Sequence, residues 1–205
     1  MIAIVDYGAG NLRSVAKAIE KLGYSYLVTA EPERVLEAEA VILPGVGAAG
    51  EAMRSLERLG LVAPLRQVIA EDRPFFGVCL GLQLLFAATE EGGGERCLGI
   101  VSGRVRRLPP GLKVPHMGWN QVGHKIRHPI FQGISDEANF YFVHSYYGEP
   151  EDSSLVAGET EYGIPFCSML VRGNLVATQF HPEKSGELGL QLYHNFLLFG
   201  GVRRG

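Results

Sequence analysis

Residues 74–88 read PFFGVCLGLQLLFAA and carry the motif Gly77-Val78-Cys79-Leu80-Gly81 near their centre. The apolar run at 74–78 predicts a buried strand, and the apolar spacing at 80–88 predicts a helix directly after it. In such a strand-turn-helix elbow the central residue adopts a strained backbone conformation, and the flanking glycines leave room for the nearby helix. The segment therefore predicts that Cys79 projects as a nucleophile from the carboxyl edge of a sheet. A small buried residue in a tight turn is the plainer alternative.

The chain before this segment repeats the same order of strand, turn and helix. Apolar runs predict strands at 2–5, 25–28 and 41–43, and helical spacing predicts helices at 12–22, 48–59 and 62–70, with a short helix after Pro32. Asn11 is the expected N-cap of the first of these helices, and Gly23 its stop. Short, continuous apolar strands that alternate with helices are typical of a parallel sheet covered on both faces.

Strand-like alternation dominates after residue 102. The predicted strands lie at 103–108, 118–122, 140–143, 155–159, 166–171 and 175–180, and helical spacing returns at 187–199. The predicted fold class is α/β, doubly wound and flavodoxin-like, with a mixed, mostly parallel sheet and helices on both faces. Because the chain has 205 residues and no linker-like stretch, residues 1–205 are expected to form a single domain.

The composition disfavours several classes of function. The 19 Lys and Arg residues against 22 Asp and Glu give a net charge of -3, which is not the basic surface that nucleic acids or anionic membranes require. The apolar runs are far shorter than the ~20 residues that span a bilayer, and the N-terminus MIAIVDYGAG predicts a strand, not a signal peptide. We therefore expect a soluble, cytoplasmic protein. Its odd number of cysteines predicts reduced thiols, with Cys97 and Cys167 non-catalytic.

A nucleophilic cysteine needs a base, and position favours His181 among the six histidines. It follows the predicted strand at 175–180, at the kind of strand end where α/β sheets place their sites. Pro182 favours extended geometry at His181, and Glu183 would then point to the same side of the segment. A carboxylate beside an imidazole fixes its tautomer and stabilises its charged form. Without Cys79, this H-P-E turn would be an ordinary surface turn.

Two further patterns have weaker chemical interpretations. Residues 8–13, GAGNLR, begin like a dinucleotide-binding loop, but Arg13 stands where the third glycine is needed. His124 and His128 have a metal-like spacing, but no acidic or thiol ligand lies nearby in the sequence to complete a zinc site. A turn near the active site and a pair of solvated or interface histidines are the preferred interpretations.

The segments GVCLGLQLLF (77–86) and TQFHPEKS (178–185) together resemble the class I, or triad-type, glutamine amidotransferases. The order of nucleophile, histidine and acid differs from that of α/β-hydrolases, in which the acid precedes the histidine. Within the family, five segments are similar to the glutaminase subunits of imidazole glycerol phosphate synthases, which act in histidine biosynthesis. These are DYGAGNLRSV (6–15), PGVGAAGEAM (44–53), PHMGWN (115–120), NFYFVHSYY (139–147) and HPEKSGELG (181–189).

The resemblance implies a role for each motif residue in glutamine hydrolysis. The implied catalytic residues are Cys79 as nucleophile, His181 as proton shuttle and Glu183 as the residue that orients His181. The implied oxyanion donors are the N–H groups of Gly47 and Leu80. The implied glutamine contacts are Gln83 and the backbone near Ser145 and Tyr146. The loop PGVG at 44–47 is expected to hold its peptides in a non-productive orientation until a partner and its ligand bind, since glycine makes a peptide flip sterically cheap.

Ammonia released into water would be protonated and lost, so an amidotransferase must deliver it to an acceptor site kept from solvent. We expect no acceptor domain in a chain of this length, and the resemblance implies a separate (β/α)8-barrel cyclase subunit that forms a heterodimer with it. The expected contact residues are Asn11, Trp119 within 116–120, and Lys184. A core position for Trp119 stays an alternative. No metal or other cofactor is expected.

Two other functions stay open at this point. One is the same glutaminase chemistry for another acceptor, such as chorismate amination or guanylate synthesis, although those relatives commonly carry histidine where this chain has Leu82. The other is a binding module that keeps the fold without catalysis, which the intact Cys79, His181 and Glu183 disfavour.

Overall fold

The computed structural model describes residues 1–8 and 10–204, and it places thirteen strands in one sheet. The strands are β1 (Ile2–Val5), β2 (Tyr26–Thr29), β3 (Ala40–Leu43), β4 (Phe75–Val78), β5 (Phe86–Thr89), β6 (Glu95–Arg96), β7 (Val101–Arg107), β8 (His116–His124), β9 (Ala138–His144), β10 (Tyr146–Pro150), β11 (Val156–Glu161), β12 (Pro165–Arg172) and β13 (Leu175–Thr178). The helices are α1 (Leu12–Lys21), α2 (Pro32–Glu37), α3 (Ala49–Arg58), α4 (Val62–Ala70), α5 (Leu80–Gln83) and α6 (Gly186–Phe199).

The strand order across the sheet begins β2-β1-β3-β4-β13, and these five strands run parallel. From β12 outward the pairing is antiparallel, except for the parallel pair of β5 and β7. The order of the parallel strands is that of a flavodoxin-like sheet. The predicted fold class, α/β with a mixed sheet, is therefore confirmed.

Helices cover both faces of the parallel part because its strands are apolar on both sides. In β1, Ile2 and Ile4 belong to the hydrophobic cluster that includes residues of α1 and α6, whereas Ala3 and Val5 belong to the cluster with residues of α2, α3 and α4. All four side chains are completely buried. The continuous apolar run in the sequence is thus the signature of a strand between two helical layers.

The structure corrects the predicted helix at 80–88. Helix α5 ends at Gln83, and the apolar residues after it form β5, which pairs with β7 and β6. A short apolar run suits a buried helix and a buried strand equally well, so its pattern does not separate them. Long-range pairing decides the outcome here, and for the same reason the sequence analysis missed β6 and β10.

Two glycines of the elbow allow α5 to lie against the ends of β3 and β4. A Cβ atom on Gly81 would collide with the carbonyl oxygen of Leu43, and a Cβ atom on Gly77 would lie 2.9 Å from the carbonyl oxygen of Gly81. Neither glycine has a positive φ angle. Space, not backbone conformation, therefore requires glycine at both positions.

We predict that Gly81→Ala lowers the free energy of unfolding by roughly 1–3 kcal/mol or more, since the added methyl group overpacks a rigid backbone contact. Equilibrium unfolding in urea measures the change. Gly123→Ala is the matched control, because a Cβ atom there would make an ordinary contact at 3.6 Å with the Glu159 carbonyl oxygen, and we expect a change within about 0.5 kcal/mol. Equal effects of the two substitutions would contradict this account of the elbow.

Candidate active site

Three parallel strands end at one edge of the sheet and bring distant segments together there. Leu43 pairs with Gly77, and Thr178 pairs with Val78, so β3, β4 and β13 finish at the same level. The residues that follow them are the PGVG loop, Cys79 and the segment leading to His181. Sites of doubly wound folds lie at this edge because the loops diverge there.

Cys79 occupies the strained position that the elbow motif predicts. Its backbone has φ 53° and ψ −103°, a conformation that non-glycine residues rarely adopt. Its N–H donates to the Thr178 carbonyl oxygen at 2.7 Å, which fixes it to β13. Leu80 follows as the first residue of α5, where N–H groups have no partner within the helix.

His181 and Glu183 form a buried pair beside Cys79. His181 Nδ1 lies 2.8 Å from Glu183 Oε1, and each side chain is 1% exposed. His181 has the extended backbone predicted for it, with φ −102° and ψ 98°, but Glu183 lies in the 3₁₀ turn Pro182–Lys184, which corrects the extended segment expected to reach it. His181 Nε2 has no hydrogen-bond partner among the described residues, which leaves the nitrogen opposite to Glu183 free for proton transfer.

The neighbours of His181 raise its pKa by more than burial lowers it. Burial alone would lower the pKa of His181, but the neighbouring Cys79 thiol and the Glu183 carboxylate raise this pKa from 6.5 to about 9. Both neighbours stabilise the imidazolium, one as a developing thiolate and the other as a carboxylate. The histidine is therefore built to accept a proton next to the cysteine.

A cavity of about 410 Å³ opens beside Cys79. It is lined by Val46, Gly47, Cys79, Leu80, Gln83, Glu91, Pro115, Val143, His144, Ser145, Tyr146 and Lys184. All the residues predicted as oxyanion donors or glutamine contacts therefore lie around one space, together with the nucleophile. The structure brings the predicted site together; the role of each residue stays a prediction.

Two polar residues of the site were missed by the sequence analysis. Glu91 lines the cavity, and its Oε2 accepts a hydrogen bond from the Ala49 N–H at 2.7 Å, just after the PGVG loop. Gln179 is completely buried, and its Nε2 lies 3.5 Å from Cys79 Sγ. Gln179 follows β13 as Cys79 follows β4, so strand pairing would have revealed it. Glu91 lies in an irregular turn and carries no comparable signal.

Tyr7 is a third buried polar neighbour of the elbow. Its hydroxyl has no hydrogen-bond partner within the described chain, and a Cβ atom on Gly45 would lie 2.5 Å from it. Burial, and then the nearby Cys79 thiol, raise the pKa of Tyr7 far above its usual value. The phenol therefore stays neutral beneath the PGVG loop.

His144 also lines the cavity, but its hydrogen bonds fix it as a neutral structural residue. Its Nδ1 lies 2.8 Å from the Tyr146 carbonyl oxygen, which requires a donor, so Nε2 accepts from His116 Nδ1 at 2.9 Å. Burial lowers the pKa of His116 to about 4, and burial, helped by the charges of His116 and His181, lowers that of His144 to about 3. His181 is thus the basic histidine of the site.

The predicted contact residues lie in three different settings. Asn11 is the N-cap residue of α1, as predicted, but its side chain makes no capping bond; its Nδ2 lies 3.4 Å from Glu183 Oε1. Trp119 is 59% exposed, which excludes the core alternative. Lys184 Nζ lies 5.8 Å from the centre of the Tyr141 ring. His116, which belongs to the predicted contact segment, is buried and does not reach the surface.

The metal-like histidine pair has structural partners. His124 stacks on Phe131 with ring centroids 3.8 Å apart, and His128 Nδ1 accepts from the Ile130 N–H at 3.1 Å. Across residues 1–8 and 10–204, no three His, Cys, Asp or Glu side chains are grouped to hold a metal ion. No helix in that part of the chain combines the length and the hydropathy of a membrane span.

Comparison with known proteins identifies the class to which this site belongs. The family model for "Glutamine amidotransferase class-I" matches residues 3–198. The chain therefore belongs to the class-I glutamine amidotransferase family, which confirms the resemblance seen in its motifs and makes it an enzyme of that type.

Individual relatives and one solved structure are similar to this chain over nearly its whole length. The chain is 55% identical over 196 residues to "Imidazole glycerol phosphate synthase subunit HisH" of Dehalococcoides mccartyi strain 195, with 96% of both chains covered. It is 52% identical over 202 residues to the protein of the same name from Geobacter sulfurreducens, covering 95% of this chain and 97% of that one. Among solved structures, a crystal structure of a glutamine amidotransferase superposes with a TM-score of 0.78 at 20% identity, covering 98% of this chain and 100% of that one, which shows the shared fold.

We predict that Glu183→Gln changes how stability depends on pH. In the folded wild type the pKa of His181 is about 9, above its ordinary value of 6.5. The pair's contribution to stability is therefore complete below pH 6.5 and is lost as the pH rises to about 9. Without the carboxylate charge this decline becomes smaller. Urea unfolding of wild type and Glu183→Gln across this pH range measures the decline in stability. Parallel curves of stability against pH would contradict the role of Glu183 in raising the pKa of His181.

Proposed function

We propose that this chain is the glutaminase subunit of an imidazole glycerol phosphate synthase in histidine biosynthesis. It hydrolyses glutamine to glutamate and ammonia, and it passes the ammonia to the other subunit of the synthase. The observation that supports this most is the buried pair of His181 and Glu183 beside Cys79, which lines the cavity, in a chain 52–55% identical to HisH proteins. A single domain and a cytoplasmic location are parts of the same proposal.

The geometry supports a two-stage hydrolysis. His181 accepts the proton of Cys79, and the sulfur attacks the side-chain carbonyl carbon of glutamine to give a tetrahedral oxyanion. His181 then gives the proton to the leaving amine, so that ammonia departs and a glutamyl thioester remains. In the second stage His181 removes a proton from water, the hydroxide attacks the thioester, and glutamate leaves as the thiol is restored. Glu183 keeps Nδ1 protonated throughout.

The oxyanion of each intermediate needs two donors near Cys79. The N–H of Leu80, at the start of α5, is one, and the N–H of Gly47 in the PGVG loop is the other. Gly47 has φ 94°, a conformation that suits glycine and few other residues. The loop is therefore free to change the orientation of its peptides, and we include a partner-dependent switch of this loop in the proposal.

The polar groups around the cavity fit the backbone end of glutamine. Both amide hydrogens of Gln83 are engaged, by the Tyr146 carbonyl oxygen at 2.9 Å and by Gln179 Oε1 at 3.1 Å, so Gln83 Oε1 is left as an acceptor. The Glu91 carboxylate adds negative charge on the same cavity wall. These acceptors suit the α-ammonium group, while backbone N–H groups near Ser145 and Tyr146 suit the α-carboxylate.

The surface next to the cavity fits a partner that receives ammonia. Val46, Met117 and Trp119 are large apolar residues that are 40%, 62% and 59% exposed, and Val46 lines the cavity itself. Trp119 packs edge-on against Tyr141, over which Lys184 lies. Exposed aromatic and apolar residues beside charged ones are typical of protein interfaces. A cyclase subunit with a (β/α)8 barrel, bound through Asn11, Trp119 and Lys184 as a heterodimer, is the partner we propose.

We predict that Cys79→Ala abolishes glutamate release, with a loss of roughly 10⁴-fold or more, since the thioester cannot form. The measurement is glutamate production from glutamine by the chain mixed with the cyclase subunit and its nucleotide ligand. Cys97→Ala is the matched control, because Cys97 is a buried thiol that does not line the cavity, and it should keep activity near that of wild type.

The same assay tests the coupling to the partner. Turnover should rise strongly when both the cyclase subunit and its nucleotide are present. Equal turnover with and without them would remove the switch but keep the glutaminase. Wild-type turnover that survives in Cys79→Ala would overturn the proposed function.

A further inference from the structure

Gln179 is a fully buried polar residue that the hydrolytic steps above do not use. It directly follows β13, and the pairing of Thr178 with Val78 places it level with Cys79 on the neighbouring strand. Its backbone N–H donates to the Ser168 carbonyl oxygen at 2.9 Å, which fixes its main chain. Its side chain contacts the nucleophile and Gln83.

Hydrogen bonds fix the orientation of its amide. The Tyr146 carbonyl oxygen can only accept, so the group of Gln83 that faces it at 2.9 Å is the donor Nε2. The same Nε2 lies 3.1 Å from Gln179, which must present its oxygen there. Gln179 Nε2 is consequently turned to Cys79 Sγ, 3.5 Å away.

A donor at the sulfur favours its charged form. A thiolate accepts a hydrogen bond from an amide N–H more strongly than a neutral thiol does. Sγ also lies 3.8 Å from the Val143 carbonyl oxygen, an acceptor that interacts only with the protonated thiol. The Val143 carbonyl oxygen thus favours the thiol form of Cys79, whereas the Gln179 amide favours the thiolate, which is the nucleophile.

We propose that Gln179 is a positioning residue that stabilises the Cys79 thiolate and links it, through Gln83, to the wall of the substrate cavity. The bond to the sulfur follows from the hydrogen-bond geometry alone. The link to substrate rests on the proposed function, because it requires glutamine to contact Gln83. A shift of Gln83 upon binding would move the Gln179 amide and with it the donor at Cys79.

The test measures how readily Cys79 is alkylated as a function of pH. The full-length chain is treated with iodoacetamide from about pH 5 to about pH 10, and the modified Cys79 peptide is quantified by mass spectrometry, since only the thiolate reacts. Gln179→Met removes the donor with little change in size. Gln179→Glu keeps an acceptor for Gln83 and replaces the donor by a negative group. Gln132→Glu adds the same charge at an exposed position and is the control.

We expect the midpoint pH of labelling to rise in both Gln179 variants, by about one pH unit or more in Gln179→Glu and by less in Gln179→Met. Gln132→Glu should match wild type. An unchanged midpoint in Gln179→Met would overturn the proposal, even if Gln179→Glu shifts, because the added charge alone would then explain the effect. If Gln179→Glu does not fold, Gln179→Met decides the question.

Glutamine turnover separates this inference from the proposed function. With the partner and its nucleotide present, Gln179→Met should lower kcat roughly tenfold. Raising the pH should restore part of the loss, because a larger fraction of Cys79 is then deprotonated without the hydrogen bond. A loss that is the same at every pH would assign Gln179 a purely structural role. If the wild type does not hydrolyse glutamine at all, the proposed function fails, while the labelling result still decides whether Gln179 acts on Cys79.

Discussion

The close approach of helix α5 to the ends of β3 and β4 is the constraint on which the site depends. It is possible only because Gly77 and Gly81 lack side chains where carbonyl oxygens already fill the space. Cys79, between them, takes φ 53°, and its N–H is tied to β13 at Thr178. A strained residue persists where the surrounding packing determines its conformation. The sheet and helix thus hold the sulfur in place, and no flexible loop has to position it.

Burial gives this geometry its electrostatic effect. His181 and Glu183 are almost completely shielded from water, so the charge of each neighbour acts on the imidazole with little screening. The pKa of His181 rises despite burial, whereas that of His144, which lacks a carboxylate partner, falls to about 3. The charged form is therefore favoured at His181 and the neutral form at His144. Interactions with Cys79 and Glu183 raise the pKa of His181, whereas burial dominates at His144.

The local signals in the sequence predicted the elbow, the parallel strands and the H-P-E turn, because each depends on residues close together in the chain. Residues 86–88 of β5 were wrongly predicted as helix, since their apolar pattern suits either structure and the pairing of β5 with β7 is a long-range contact. Glu91 and Gln179 were missed for a related reason. Each is an ordinary polar residue in the sequence. Only the three-dimensional structure shows that Glu91 lines the cavity and that Gln179 lies beside the strand that precedes Cys79.

The central claim is that Cys79 carries the glutamyl group during turnover. The most direct measurement is mass spectrometry of the acid-quenched protein, taken during steady-state turnover of glutamine with the partner subunit and its nucleotide present. The account predicts a glutamyl adduct on the peptide that contains Cys79 and on neither of the peptides that contain Cys97 and Cys167. Sustained turnover with Cys79 unmodified at every time point, or an adduct on another residue, would contradict it.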